Sequence, residues 1–253
     1  MSLNADAILD YLNFPAVVKV FDEVDSTNAF LKRHIADFPV DRISLVVSDS
    51  QSAGYGKFHR SFFSPADSGV YFSVLLPIDL ISDVDLVTLS AGVSVCSALK
   101  KLVPEGDFSL KWVNNVLNGD RKCGGVLAES ISDDDGKLTF VVLGIGVDVF
   151  VESFPDELAD VAGDVGAVDL FDRNFFVGSV LNFLLDLLDN PDSVVPDFRL
   201  LCSTVGQRVE VVAGGRRVIG KAVDVDDSGG LVVVDDKKNR HLFNSGEVSK
   251  VFL

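Results

Sequence analysis

From Gly206 to the C-terminus the sequence is cut into five short runs, 207–212, 217–225, 230–234, 239–243 and 247–252, in which apolar and polar residues alternate. Ala-Gly-Gly, Asp-Asp-Ser-Gly, Asp-Asp-Lys-Lys and Asn-Ser-Gly separate them. Alternation with a period of two marks half-buried strands, and Gly, Asn and Asp between the runs supply tight turns. The tail therefore predicts a small closed β-barrel. Residues before it read differently, so the chain divides into an α+β body, 1–204, and an all-β unit, 205–253.

In the body, residues 4–14 predict a short helix with Asn4 as its cap and Ile8, Leu9 and Leu12 on one face. Val17–Phe21 alternates as a strand, and Ser26-Thr27-Asn28 opens a helix to about Ile35. Runs 43–48 and 70–76 predict strands, the second ended by Pro77, and 86–102 predicts a helix closing at Pro104. Phe108–Trp112 and Leu117–Glu129 form a hairpin-like pair around the Asn118-Gly119-Asp120 turn. Another strand covers 138–149. Residues 151–168 are acidic and weakly periodic, which predicts a mobile surface segment. Residues 172–188 predict an apolar helix, with Pro191 and Pro196 marking its exit.

Charge narrows the function. Acidic residues number 38 against 22 basic ones, a net −16, and no basic cluster offers a footprint for DNA or an anionic membrane. Cys96, Cys123 and Cys202 lie far apart and share no ligand spacing with His34, His59 and His241, so neither a disulfide framework nor a zinc site is expected. The N-terminus has no basic-then-apolar leader, and no apolar run is long enough to span a bilayer. These features point to a cytoplasmic protein.

Four segments carry candidate chemistry, and each also has a purely structural reading. Asp25-Ser26-Thr27-Asn28 suits a helix cap, or hydroxyls and an amide offered to a polar ligand at a helix N-terminus. Gln51-Ser-Ala-Gly54-Tyr55-Gly56-Lys57-Phe58-His59-Arg60 suits a surface turn, or a loop whose backbone approaches an anion. Lys111-Trp112-Val113-Asn114-Asn115, followed by Arg121-Lys122-Cys123-Gly124-Gly125, suits a solvated hairpin, or a cationic site around the chain's single tryptophan. Gly144-Ile145-Gly146-Val147-Asp148 suits a bulged strand end, or a strand whose glycines admit a ligand beside a carboxylate.

Their order is more informative than any one of them. Ser26-Thr27-Asn28, Gln51…Gly54-x-Gly56-Lys57…Ser64-Pro65…Tyr71-x-Ser73, Lys111-Trp112-x-Asn114, Lys122-x-x-Gly125-Val-Leu127-x-Glu129 and Gly144-Ile-Gly146 resemble, over essentially the whole chain, the biotin–protein ligase family. Ser245-Gly-Glu-Val248 extends the resemblance into the tail. The resemblance implies a mixed β-sheet with helices packed on one side, followed by an SH3-like barrel. Only 25 residues precede Ser26, so the ligase-only class without a helix-turn-helix domain is expected.

The family joins biotin to ATP as biotinyl-5′-adenylate and passes the acyl group to a lysine of a biotin carboxyl carrier domain, in acetyl-CoA carboxylase or a related carboxylase. A carboxylate attacking a negative α-phosphate needs cations and amide dipoles. The resemblance implies Lys57 and Lys122 in that catalytic role, with Tyr55, Gly56 and Gly125 lining the biotin site. Ser26, Thr27, Asn28 and Gln51 match the face that reads the ureido ring. Arg60, Lys111, Trp112, Asn114, Asn115 and Asp148 fall on the nucleotide side, Asp148 also facing Mg2+. A homodimer is left open, and no cysteine is required.

The chain departs from the family at informative positions. The usual Gly-Arg-Gly-Arg-x-Gly-Arg loop carries Tyr55 and Lys57, and Phe62 stands where tryptophan is common. The usual Lys-Trp-Pro-Asn-Asp ends in Asn115, losing a carboxylate, while Asp148 stands where asparagine is usual. We read this as one carboxylate moved within the metal–triphosphate site. A catalytically impaired biotin-binding or regulatory homologue, and a lipoate-type acyl-adenylating ligase, are the alternative readings.

Overall fold

The structure is a computed structural model and describes residues 2–166 and 171–250. These residues form five α-helices and twelve strands. In chain order, α1 (Ala5–Asp10) precedes β1 (Val17–Val24), α2 (Thr27–Arg33), β2 (Ser44–Gln51) and β3 (Gly69–Pro77). Next come α3 (Val87–Leu102), β4 (Phe108–Lys111), β5 (Asn115–Asn118), β6 (Arg121–Ser132) and β7 (Leu138–Asp148). Helices α4 (Arg173–Asp189) and α5 (Pro191–Leu201) lead to β8 (Arg208–Ala213), β9 (Arg216–Val225), β10 (Leu231–Asp235), β11 (Arg240–Phe243) and β12 (Glu247–Lys250).

Helix starts follow side-chain chemistry. The Ala7 N–H donates to Asn4 Oδ1 at 3.0 Å, and the Asn174 and Phe175 N–H groups donate to Asp172 Oδ1 at 3.0 and 3.1 Å. Each cap satisfies amides that the first helical turn leaves without partners. The seven-stranded sheet has the order β1-β2-β3-β7-β6-β5-β4, with β1 and β2 parallel and every other neighbour antiparallel.

Successive strand residues point to opposite faces. One face carries Leu45, Val47, Phe72, Val74, Leu143, Ile145 and Val147, all buried in a cluster with α1, α3, α4 and α5. On the other face Val46, Leu75 and Val142 pack against Leu31 of α2 and Phe38. The expected one-sided helical layer therefore has one exception. Helix α2, which carries Thr27 and Asn28, lies on the face opposite the other helices, and on that face the candidate residues gather.

Three sequence expectations needed correction. Between Phe108 and Glu129 there are three strands, because the chain turns at Asn114, which donates from Nδ2 to the Val126 carbonyl at 2.7 Å and accepts from the Val126 N–H at 2.9 Å. The segment expected to be mobile is tied down as far as residue 166. Lys122 N–H donates to Val161 O at 2.9 Å, Gly163 N–H donates to Lys122 O at 2.8 Å, and Val151 and Val165 are buried. Backbone bonds, which leave no periodicity in sequence, hold it; positions 167 and 168 lie outside the described residues. Pro191 opens α5 rather than ending a helix, as proline at a first helical position can. Pro196 is tolerated inside α5, where Val194, Val195 and Phe198 are buried.

All five tail strands form where expected, in the antiparallel order β11-β10-β9-β8-β12. Among the described residues no ladder joins β11 to β12, so the predicted closure is not seen as strand pairing; positions 251 and 252 lie outside those residues. This sheet shares the large apolar cluster of the body through Val209, Val211, Val225 and Leu231. The Trp112 indole N–H donates to Gly229 O at 2.9 Å, and the Trp112 amide donates to Thr204 Oγ1 at 2.9 Å. No helix among the described residues is long and apolar enough to cross a membrane.

Trp112 and Gly229 are both buried, so Trp112→Phe should leave the Gly229 carbonyl without its donor. We expect a loss of about 1–3 kcal/mol in urea unfolding followed by far-ultraviolet circular dichroism. An unchanged midpoint would show that the indole N–H does not contribute to joining the two sheets.

Candidate active site

Opposed residues of antiparallel strands share a face, so the ladders define which groups meet. One row across the sheet reads Lys111, Asn115, Gly125, Gly146, Tyr71 and Ser48. The next reads Leu127, Gly144, Ser73 and Val46. Asp148 opposes Gly69 at the end of β7. From Gly144 to Asp148 the strand advances roughly 13 Å, at about 3.3 Å per residue. Polar, bare, cationic and acidic positions thus follow one another along a single strip.

The bare positions are filled by side chains from elsewhere. A Cβ on Gly144 would lie 2.3 Å from Asn28 Oδ1, and one on Gly146 would lie 2.6 Å from the Phe62 ring. A Cβ on Gly125 would stand 3.4 Å from both Cε and Nζ of Lys122. The Lys122 ammonium in turn lies 5.5 Å from the Phe62 ring centroid, within reach of a cation–π attraction.

At the Gly144 end is a connected polar cluster. Ser26 caps α2, its Oγ accepting from the Ala29 N–H at 3.4 Å. Gln51 Oε1 accepts from the Thr27 N–H at 2.9 Å, and Gln51 Nε2 donates to Ser64 Oγ at 2.9 Å. Ser73 Oγ lies 2.6 Å from Thr27 Oγ1 and 2.5 Å from Asn28 Oδ1. Asn28 Nδ2 donates to Glu129 Oε2 at 2.8 Å, which fixes the orientation of that amide. Ser26, Thr27, Asn28, Ser64 and Ser73 are buried. The structure therefore brings the predicted ring-reading residues together. It also shows Gln51 engaged at both ends of its amide, holding Thr27 in place.

Cations gather at the other end. Burial pulls the Lys57, Lys111 and Lys122 ammonium groups below the usual lysine range, with Glu247 opposing the change at Lys111 and Asp148 opposing it at Lys122. Lys111 and Arg60 also repel the charge on Lys122, so these three groups converge. Arg60 donates to both Glu247 carboxylate oxygens, at 2.5 and 2.8 Å. Clustered, partly desolvated cations favour an anion placed among them. Burial pushes the Asp148 carboxyl up to about 7, against Lys122 and a weak 3.5 Å contact from Tyr71.

Two expected nucleotide-side residues also have structural partners. Trp112 is interior and bonded to Gly229, and Asn114 stabilises the β4–β5 turn. The sequence motifs include Glu129, Tyr71, Ser73, Phe62 and Glu247 without a place at the site, and they leave out Lys32. Period-two spacing of Tyr71 and Ser73 with the opposing glycines was a usable signal. Lys32 offered only its place on the same short helix as Asn28.

Against known proteins, the profile of the biotin/lipoate A/B protein ligase family matches residues 20–148, and that of the biotin protein ligase C terminal domain matches 204–251. The chain belongs to the biotin/lipoate A/B protein ligase family. Among curated members, the biotin–[acetyl-CoA-carboxylase] ligase of Mycobacterium tuberculosis is 32% identical over 225 residues, covering 84% of this chain and 81% of that protein. The bifunctional ligase/repressor BirA of Bacillus subtilis is 25% identical over 236 residues, covering 89% and 72%. A biotin protein ligase from Aquifex aeolicus, solved in complex with biotin and ATP, superposes with a TM-score of 0.78 at 28% identity, covering 92% of this chain and 97% of that one. The family region in this chain contains the whole glycine strip, from Thr27 through Gly144 and Gly146 to Asp148.

Asp148 gives the site a pH signature. Its folded value of about 7 lies above the ordinary 3.8, so the folded state holds a proton that the unfolded chain has released between those values. Stability tied to this group is complete below about pH 4 and is lost as pH rises through about 7. Asp148→Asn should then be more stable than the unaltered protein by ~1 kcal/mol or more near pH 8, with the difference shrinking towards pH 4. Denaturant melts at both pH values test this; an equal difference at both would show that folding does not raise the Asp148 carboxyl.

Proposed function

We infer that this protein is an ATP-dependent biotin–protein ligase acting on the carrier domain of a biotin-dependent carboxylase, with acetyl-CoA carboxylase the reference case. The observation that carries this reading is the glycine strip of β7. It runs from a buried hydroxyl–amide cluster at Gly144, past the Phe62 ring at Gly146, to Asp148 and the Lys122 ammonium that stands over Gly125, the ladder partner of Gly146. A ligand with a polar ring at one end and a carboxylate at the other fits that sequence of environments. Such a ligand would present its carboxylate where the cations are.

In the first step a carboxylate oxygen of biotin attacks the α-phosphorus of ATP. The acyl–phosphate bond forms as the bond to the bridging oxygen breaks, and pyrophosphate leaves. Lys122, over the bare Gly125, and Lys57, on the loop, are proposed to offset charge where carboxylate and phosphate meet. Arg60, Lys111 and Asn115 are proposed on the nucleotide side. In the second step an uncharged carrier lysine attacks the acyl carbon and AMP leaves with the bonding pair. The loop 54–60 is proposed to keep water from the adenylate between the steps.

Magnesium enters as part of the ATP substrate. Among the described residues no group of three or more His, Cys, Asp or Glu is placed to hold a metal by itself. A single buried carboxylate fits a cation whose other ligands are phosphate and water oxygens, and Asp148 is proposed to face it. We take 1–204 as the catalytic part and 205–253 as its C-terminal unit. Three free cysteines are compatible with a cytoplasmic setting.

Biotin-dependent exchange of labelled pyrophosphate into ATP, followed by label transfer to a carrier domain, tests the reaction; lipoate in place of biotin tests the related acyl chemistry. Lys122→Ala should lower exchange by ~10²-fold, the scale of removing one preorganised electrostatic group. A rate close to that of the unaltered protein would remove Lys122 from the chemistry.

Asn115→Asp with Asp148→Asn restores the arrangement usual in the family. The pair should recover exchange at limiting magnesium beyond the product of the single effects. Strict additivity would show that the two positions act independently.

A further inference from the structure

Asn28 and Lys32 stand four residues apart on α2, so their side chains leave the same face of that helix. Together they hold both oxygens of Glu129 on β6. Asn28 Nδ2 donates to Oε2 at 2.8 Å, and Lys32 Nζ donates to Oε1 at 2.6 Å. The Tyr55 hydroxyl is the third donor, to Oε2 at 2.9 Å. Burial alone would raise the Glu129 carboxyl, yet these three donors hold it below the usual carboxylate range. Glu129 is therefore a carboxylate, which accepts hydrogen bonds and never donates one.

That one-way partner decides the direction of the bonds that follow. Asn28 must offer its NH2 group to Glu129, so its Oδ1 turns towards Ser73, over the bare Gly144. Oδ1 has no proton, so the 2.5 Å contact with Ser73 Oγ uses the Ser73 proton. A serine hydroxyl has a single proton. The 2.6 Å contact between Ser73 Oγ and Thr27 Oγ1 therefore uses the proton of Thr27. Gln51 Oε1, the other acceptor near that hydroxyl, is 3.3 Å away and already accepts from the Thr27 N–H. Thr27 Oγ1 ends the chain with lone pairs and no proton to give. Thr27, Asn28 and Ser73 are all buried, where such bonds polarise one another.

We propose that Glu129, steadied by Lys32, is a positioning residue that sets the direction of the Asn28–Ser73–Thr27 chain and so makes this end of the site an acceptor for ring N–H groups. It acts through Asn28 rather than on the reacting atoms. A cyclic urea has N–H groups to offer to Thr27. A ring with only lone pairs at that point sets two acceptors against each other, and the dithiolane of lipoate has no N–H at all. The consequence for ligand choice rests on the biotin reading of the site; the direction of the chain does not.

Glu129→Gln keeps the shape of the side chain and reverses its effect. The amide oxygen stays with the Lys32 ammonium, so the new NH2 group faces Asn28. Asn28 then turns over and donates to Ser73, Ser73 donates to Thr27, and the Thr27 proton points outward. Glu129→Asp is shorter but still accepts at both oxygens.

Neutron diffraction from deuterium-exchanged crystals without ligand reads these directions. In the unaltered protein the Ser73 deuteron should lie towards Asn28 and the Thr27 deuteron towards Ser73; in Glu129→Gln the Ser73 deuteron should lie towards Thr27. Calorimetry then compares biotin with the two analogues in which a ring oxygen replaces one ureido N–H. The unaltered protein should prefer biotin to at least one of them by ~10-fold or more, the scale of one unsatisfied buried polar group. Glu129→Gln should lose that preference and Glu129→Asp should keep it. Packing alone predicts the opposite order, because glutamine matches glutamate in shape and aspartate leaves a gap. A Ser73 deuteron directed at Thr27 in the unaltered protein, or unchanged directions in Glu129→Gln, overturns the proposal whether or not biotin binds. A preference that survives in Glu129→Gln overturns the role in ligand choice. An unaltered protein that does not bind biotin overturns the ligase reading instead, and the deuteron positions still decide the direction of the chain.

Discussion

The absence of side chains at Gly125, Gly144 and Gly146 is the constraint on which the rest of the site depends. In the middle of a sheet glycine weakens packing and carries an entropic cost. Here the vacancies are occupied by groups that need them: the Asn28 amide over Gly144, the Phe62 ring over Gly146 and the Lys122 stem over Gly125. A methyl group at 144 or 146 would displace its occupant. Because 144, 146 and 148 share one face, the strand sets these groups in a fixed sequence that no loop movement can reorder.

Electrostatics reinforce this arrangement. The chain carries a net −16, yet Lys111, Lys122 and Arg60 converge on one place, where burial strips water from both lysines. Carboxylates near them are few and differently engaged. Glu247 is paired with Arg60, and Asp148 is held near neutrality by its own desolvation. An anionic ligand arriving there replaces hydration that the cations have already lost, and preorganised charge of this kind favours a transition state in which charge builds up.

Much of this was legible in the sequence, and the reasons for the remainder are physical. Strands β2, β3 and β7 announce themselves because both their faces are buried or half-buried, and the tail announces itself because turn residues separate its strands. The family resemblance grouped Thr27, Asn28, Gln51 and Ser73, and the structure joins them by hydrogen bonds. Trp112 came with Lys111 in one family motif, and no sequence pattern shows that its indole finds a partner 117 positions away at Gly229. Tertiary packing around Val194, Val195 and Phe198 made a helix of a proline-rich stretch. The hold on residues 151–166 comes from backbone bonds to Lys122 and its neighbours, which side-chain patterns do not encode.

The chain has one tryptophan, and it stands at the seam between the two sheets, next in sequence to Lys111. Indole emission from this protein therefore has a single address. Any change in that emission reports on the junction of the C-terminal sheet with the strand that carries Lys111, with no contribution from other indoles to subtract. The molecule thus contains its own optical gauge of whether its two parts stay joined when a ligand binds.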